Sequence, residues 1–171
     1  MVVVGPCRCP LRRPIPPQKA HYIQDAGQPL HATSNYDGQL TGQYGVHSRF
    51  ESGLFERFGS KMTIAPPAPA AIANIRDEMF RILLASYRLV DPVLAADKAA
   101  IAGRDTYDDA YFDAFFARVR PVIEQQLAAS VARTAALWLS AWEQAGRPAV
   151  AITMPRTPQK VRTPGAPRGG R

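Results

Sequence analysis

PVIEQQLAASVARTAALWLSAWEQA, residues 121–145, decides the fold class. Ile123, Leu127, Val131, Ala135, Trp138 and Trp142 recur at spacings of four and three, the period of one helix face. That spacing places the row in the core, and it argues against the tryptophans as a stacking platform for lipids or bases. Ala128, Ala132 and Ala136 form a second row, small enough for a neighbouring helix to approach closely. Gly146 followed by Pro148 is a helix stop.

Working outward, Tyr111, Phe112, Phe115, Phe116 and Val119 give another helical face that runs up to Pro121, where a helix starts or kinks. Residues 97–106 read as a polar link or short helix. Ile72, Ile75, Met79, Ile82, Leu83 and Leu89 predict a helix to about Val90, ended or kinked by Asp91-Pro92. Pro66, Pro67 and Pro69 break the chain before it. Phe50, Leu54 and Phe58 form a core-facing stripe, with Phe55 beside it. Residues 35–46, dense in Gly and Asn/Asp, are a loop, and helical character from residue 19 breaks near Gly27 and Pro29. Strand patterns are almost absent. The expected architecture is all-α, with four or five helices in one domain over residues 19–146.

The chain has 171 residues and a net charge of +7, which raises the question of nucleic acid. The excess sits at the ends. Residues 1–20 and 147–171 carry ten of the 21 basic residues and no acid, so residues 21–146 hold all 14 acidic residues against 11 basic ones. Residues 1–18 and 147–171, rich in Pro and Arg, are expected to be disordered, and the folded part is mildly acidic. A basic nucleic-acid-binding module built on the tails is therefore an alternative that leaves the centre unexplained. Cys7 and Cys9 stand too close for a structural bridge. No apolar run is long enough for a membrane span, and the N-terminus lacks the pattern of a signal peptide.

All three histidines lie in HYIQDAGQPLHATSNYDGQLTGQYGVHSRFE, residues 21–51. His21 and Asp25 stand four apart, as do His47 and Glu51, and such pairs share one face of a helix. His31 follows Pro29, where the chain can turn. Each pair alone reads equally as a hydrogen-bonded pair. Together the five residues read as a metal site, with His31, His47 and Glu51 supplying two nitrogens and one carboxylate, a donor set that suits catalytic zinc.

HYIQDAGQPLH, the Gly/Asn loop and GVHSRFE together resemble the bacterial zinc-dependent phospholipases C and the related single-strand-specific zinc nucleases, over roughly residues 19–146. The resemblance implies an all-helical, secreted or periplasmic hydrolase of phosphodiester bonds, in phospholipid or single-stranded nucleic acid, with up to three zinc ions. In that family a metal-activated water attacks the phosphorus. By position, His21 would bind one zinc, Asp25 would bridge it to another, and His31, His47 and Glu51 would hold the remaining one. Glutamate at position 51 resembles the phospholipase branch. Tyr22, Gln28, Pro29, Arg49 and Phe50 extend the match as scaffold. The family's N-terminal ligands, a leading tryptophan, two histidines and an aspartate, have no counterpart here. The expectation is therefore one complete protein ligand set for zinc, little or no catalysis by this chain alone, and exposed apolar surface where an N-terminal half or partner chain would pack. A non-catalytic, zinc-stabilised helical remnant is the alternative within the same resemblance.

Overall fold

The computed structural model describes residues 17–149. The expectations for residues 1–16 and 150–171, Cys7 and Cys9 included, lie outside that range. Among the described residues every regular element is helical. None of these helices is long and apolar enough to cross a membrane.

The spine is α6, Asp109–Gln144. Asp108 caps its start, the side chain accepting from the Tyr111 amide at 2.8 Å. The helix continues through Pro121, so no helix starts there. A mid-helix proline removes one hydrogen bond and costs about 3 kcal/mol. Burial of Phe115, Phe116, Val119 and Ile123 on either side offsets that cost.

Two clusters share this spine. Around the first half of α6 pack α5 (Val90–Ile101) and the segment from Val46 to Phe58. That segment is α2 (Val46–Ser48), one π turn (Arg49–Gly53) and α3 (Leu54–Phe58). Phe58 stacks on Phe116 with ring centroids 4.3 Å apart. Around the second half of α6 pack α1 (Pro17–Ala26) and α4 (Ile75–Tyr87), through Ile23, Ala26, Ile82 and Leu137. A single 3₁₀ turn, Pro29–Ala32, follows α1 and touches both α4 and α5.

Three sequence expectations change. The helix read over 72–90 is shorter, Ile75–Tyr87, because Asn74 caps it by accepting from the Arg76 and Asp77 amides. Asp91-Pro92 begins a helix instead of ending one, since a proline in the first turn forfeits no intrahelical bond. The polar link at 97–106 starts inside α5, and Asp97 is fully buried.

The most consequential change is on α6. Ala128, Ala132, Ala136, Leu137 and Ser140 are the buried row of its second half. Val131 and Trp138 are about half exposed, and Trp142 is more than a third exposed. Small side chains win the packed face because they let α1 come close. A Cβ on Gly27 would stand 2.9 Å from the Ser130 hydroxyl. Leu127, Val131 and Trp138 instead line an open groove of about 1020 Å³ with Phe55 and Ile64.

Candidate metal centre

The structure brings His31, His47 and Glu51 together, from three different local structures. His31 sits in the 3₁₀ turn, His47 in α2 and Glu51 in the π turn. His47 Nε2 lies 3.2 Å from His31 Nε2 and 2.9 Å from Glu51 Oε2. His31 Nε2 lies 3.9 Å from the same carboxylate oxygen. Ligand atoms about 2.0–2.1 Å from a tetrahedral zinc stand about 3.3 Å from one another, a spacing that these three distances bracket.

Both rings are oriented from behind. His31 Nδ1 donates to the Asp25 carbonyl at 3.0 Å, and His47 Nδ1 donates to the Tyr36 carbonyl at 3.2 Å. A carbonyl can only accept, so each Nδ1 carries its proton, and a ring in that neutral tautomer presents its Nε2 lone pair to the other ring. In that tautomer the two Nε2 atoms, 3.2 Å apart, repel unless a proton or a metal ion stands between them. Backbone carbonyls behind ligating imidazoles are the usual means of fixing tautomer and ring angle at metal sites.

Gln28 ties the site together. Its Oε1 accepts from the Leu30 amide at 2.8 Å and so caps the turn that carries His31. Its Nε2 donates to Glu51 Oε2 at 3.2 Å. One side chain thus positions two of the three donors.

Beneath the site lies a buried polar knot that the sequence reading missed. The π turn, closed by the Leu54 amide on the Arg49 carbonyl, sends Arg49 inward while Glu51 faces His47. Arg49 Nε and Nη2 donate to Asp97 Oδ1 at 3.1 and 2.9 Å. Gln43 Nε2 donates to Asp97 Oδ2 at 2.7 Å, and the Tyr111 hydroxyl donates to Asp97 Oδ1. Arg49 also donates to the Tyr44 and Gln43 carbonyls. Burial, reinforced by the hydrogen bond to Asp97, pushes the Tyr111 phenol well above its usual value. Burial opposes the charge on Arg49, but Asp97 and Tyr111 outweigh it and hold the guanidinium's pKa above its ordinary value. The resemblance named Arg49 as scaffold, and the signal for its partner was an aspartate among Val93, Leu94, Ala96 and Ala100, which are all buried on α5.

His21 and Asp25 form a pair beside the triad, not part of it. His21 Nε2 stands 3.1 Å from Asp25 Oδ2, and His21 is largely exposed. Asp25 Oδ1 lies 3.9 Å from His31 Nδ1, the nitrogen that faces away from the triad. Among the described residues, His31, His47 and Glu51 are the one group of three or more potential ligands within reach of a single ion.

No family model, no curated protein and no solved structure matches this chain.

Proposed function

We propose that His31, His47 and Glu51 hold one zinc ion and that the site hydrolyses phosphodiester bonds. The observation that carries the reading is the pair of imidazoles whose Nε2 atoms face each other at 3.2 Å, with a carboxylate oxygen 2.9 Å from one of them. Three protein donors leave one tetrahedral position for water or substrate, whereas structural zinc sites close all four. A zinc ion held there supplies a Lewis acid and lowers the pKa of its water toward about 7. The chain's own part is to fix the donors: two carbonyls behind the rings, Gln28 on the carboxylate, Arg49 locking the turn between His47 and Glu51. The groove that reaches His31 and Glu51 gives a substrate room beside the open position. Phosphodiester as the substrate class rests on the sequence resemblance.

The test is elemental analysis of the purified full chain and of His47→Ala, followed by hydrolysis of bis(p-nitrophenyl) phosphate with zinc added. The expected result is close to one zinc per chain, lost in the variant, with weak but zinc-dependent turnover, since the family's N-terminal ligands have no counterpart among these residues. Zinc without turnover would overturn the hydrolase reading and leave a zinc-stabilised helical domain. No zinc would overturn both.

A further inference from the structure

Helix α4 has two apolar faces, and the folded chain covers one of them. Ile75, Met79, Ile82 and Leu83 pack around Ile23 and Leu137, and the buried Ser86 hydroxyl donates to the Ala26 carbonyl at 2.7 Å. On the other side Phe80 is 56% exposed, Leu84 60% and Tyr87 58%. These three stand four and then three residues apart, so on a helix of 3.6 residues per turn they fall within an arc of about 60°. An apolar row that narrow, at the spacing of the a and d positions of a heptad, is the seam of a coiled coil. The e and g positions that flank this seam are Arg76, Arg81, Leu83 and Arg88. Leu83 leans on the core, and the three arginines are exposed. Arg76 lies over the Phe80 ring, 5.9 Å from its centroid. Asp77 ends the seam in the first turn of α4, where its charge complements the helix dipole. Positive charge also exceeds negative charge beside the seam. Arg81 is bonded to the Glu78 carboxylate, and Arg133 of α6 reaches the same carboxylate, its Nε 4.0 Å away. Burial and the neighbouring Arg81 hold the Arg133 guanidinium below its ordinary pKa.

We infer that this face of α4 docks an acidic amphipathic helix of another protein, whose apolar row meets Phe80, Leu84 and Tyr87 and whose flanking Glu or Asp residues pair with Arg76, Arg81 and Arg88. Charge selects this occupant over a second copy of the chain. In a parallel pair of copies Arg76 would meet Arg81, and in an antiparallel pair Arg81 would meet Arg88. Like charges at those positions repel, whereas carboxylates there attract and fix the register. Width selects a helix over a membrane. A helix that lies on a bilayer buries a broad apolar face, and α4 spends Ile75, Met79, Ile82 and Leu83 on the core. About two turns of seam make a small contact, so the complex is transient and its specificity comes from the flanking ion pairs. The inference does not depend on the metal centre or on the hydrolase reading.

The experiment measures binding of the full chain to two labelled synthetic helical peptides by fluorescence anisotropy. Both carry Leu at every a and d position. One has Glu at every e and g position and the other has Lys, so each repels its own copies. The chain is compared with Leu84→Asp and with Arg76→Glu/Arg88→Glu. All three side chains are exposed, so circular dichroism and melting should match wild type and exclude misfolding. The expected result is salt-sensitive binding of the Glu peptide, about tenfold or more tighter than of the Lys peptide, and weakened about tenfold or more in Leu84→Asp. Arg76→Glu/Arg88→Glu should reverse the preference between the peptides, which an apolar patch without charge selection would not do. His47→Ala should bind like wild type, which separates this surface from the metal centre. No binding would overturn the inference, as would equal binding of the two peptides. Glu-peptide binding unchanged in Leu84→Asp would assign the contact to Lys and Arg residues outside α4 and overturn it too. Self-association lost in Leu84→Asp, without peptide binding, would make the occupant a second copy of the chain. Flotation with anionic vesicles lost in Leu84→Asp, again without peptide binding, would make it a lipid surface. Either outcome would overturn the assignment to an acidic helix.

Discussion

Asp97 and Arg49, 48 residues apart in the chain, form a buried ion pair in which one carboxylate oxygen takes two guanidinium nitrogens, at 2.9 and 3.1 Å. Arg49 is two residues from His47 and two from Glu51, so this pair holds the turn on which two of the three candidate metal donors ride. Removing one partner of a buried pair strands the other charge and costs about 3–5 kcal/mol. Asp97→Ala should lose that much in urea unfolding. It should also weaken zinc binding, although Asp97 touches none of the three donors. Unchanged zinc affinity in a folded Asp97→Ala protein would show that the turn is held by other contacts.

Tyr111 predicts an alkaline limit. Its folded-state pKa is raised above the ordinary 10.0, so its stabilisation is complete below about pH 10 and is lost as pH climbs from there through the folded value. Melting temperatures between pH 9 and 11 should fall in wild type. Tyr111→Phe should fall less steeply, from a lower start, because Asp97 loses a donor worth about 1 kcal/mol. Parallel profiles would refute the assignment.

Two glycines in one loop separate strain from collision. Gly42→Ala meets open space at φ +72° and should cost only the left-handed penalty, about 1 kcal/mol. Gly38→Ala has the same penalty and also meets the Gln43 carbonyl, so it should cost about 2 kcal/mol or more. Equal costs would mean that the Gly38 turn opens freely.

Neighbours on α6 should respond oppositely to expectation from size. Leu137 is fully buried and Trp138 is half exposed along the groove. Leu137→Ala should cost about 2–5 kcal/mol. Trp138→Ala should cost clearly less, about 1 kcal/mol, by thermal unfolding. A larger loss at Trp138 would mean that the groove is covered in solution.

If His31, His47 and Glu51 hold zinc as proposed, zinc should stabilise the fold. At a free concentration a hundredfold above the dissociation constant, binding adds about 2.7 kcal/mol, or about 5–10 °C for a chain of this size. Chelation should reverse the shift in wild type, and His47→Ala should show no shift at all.

How much of this was written in the sequence differs by residue. The helical periods of Phe50, Leu54 and Phe58, and of Tyr111, Phe115 and Val119, named core residues correctly, because apolar side chains at helical spacing have one economical place to go. His31, His47 and Glu51 were also legible, since an imidazole and a carboxylate four apart on one helix already face each other and a proline turn supplies the third donor. The two apolar rows of α6 were ambiguous. Period alone describes both, and only the arrival of α1 and α4 decided that the alanine row packs while Leu127, Val131 and Trp138 line a groove.

The sequence by itself therefore determined the all-α class, most helix positions and the triad, all of which depend on contacts within a few dozen residues. Only the tertiary structure decided the rest. It buried Asp97, because Arg49, Gln43 and Tyr111 arrive from other elements to satisfy it. It kept His21 and Asp25 outside the triad, because the nitrogen that His31 turns toward Asp25 is the one facing away from His47. It carried α6 through Pro121, because packing on both sides outweighs one lost hydrogen bond. Local spacing fixes what a helix face offers, and the neighbours that come to meet it fix which offer is taken.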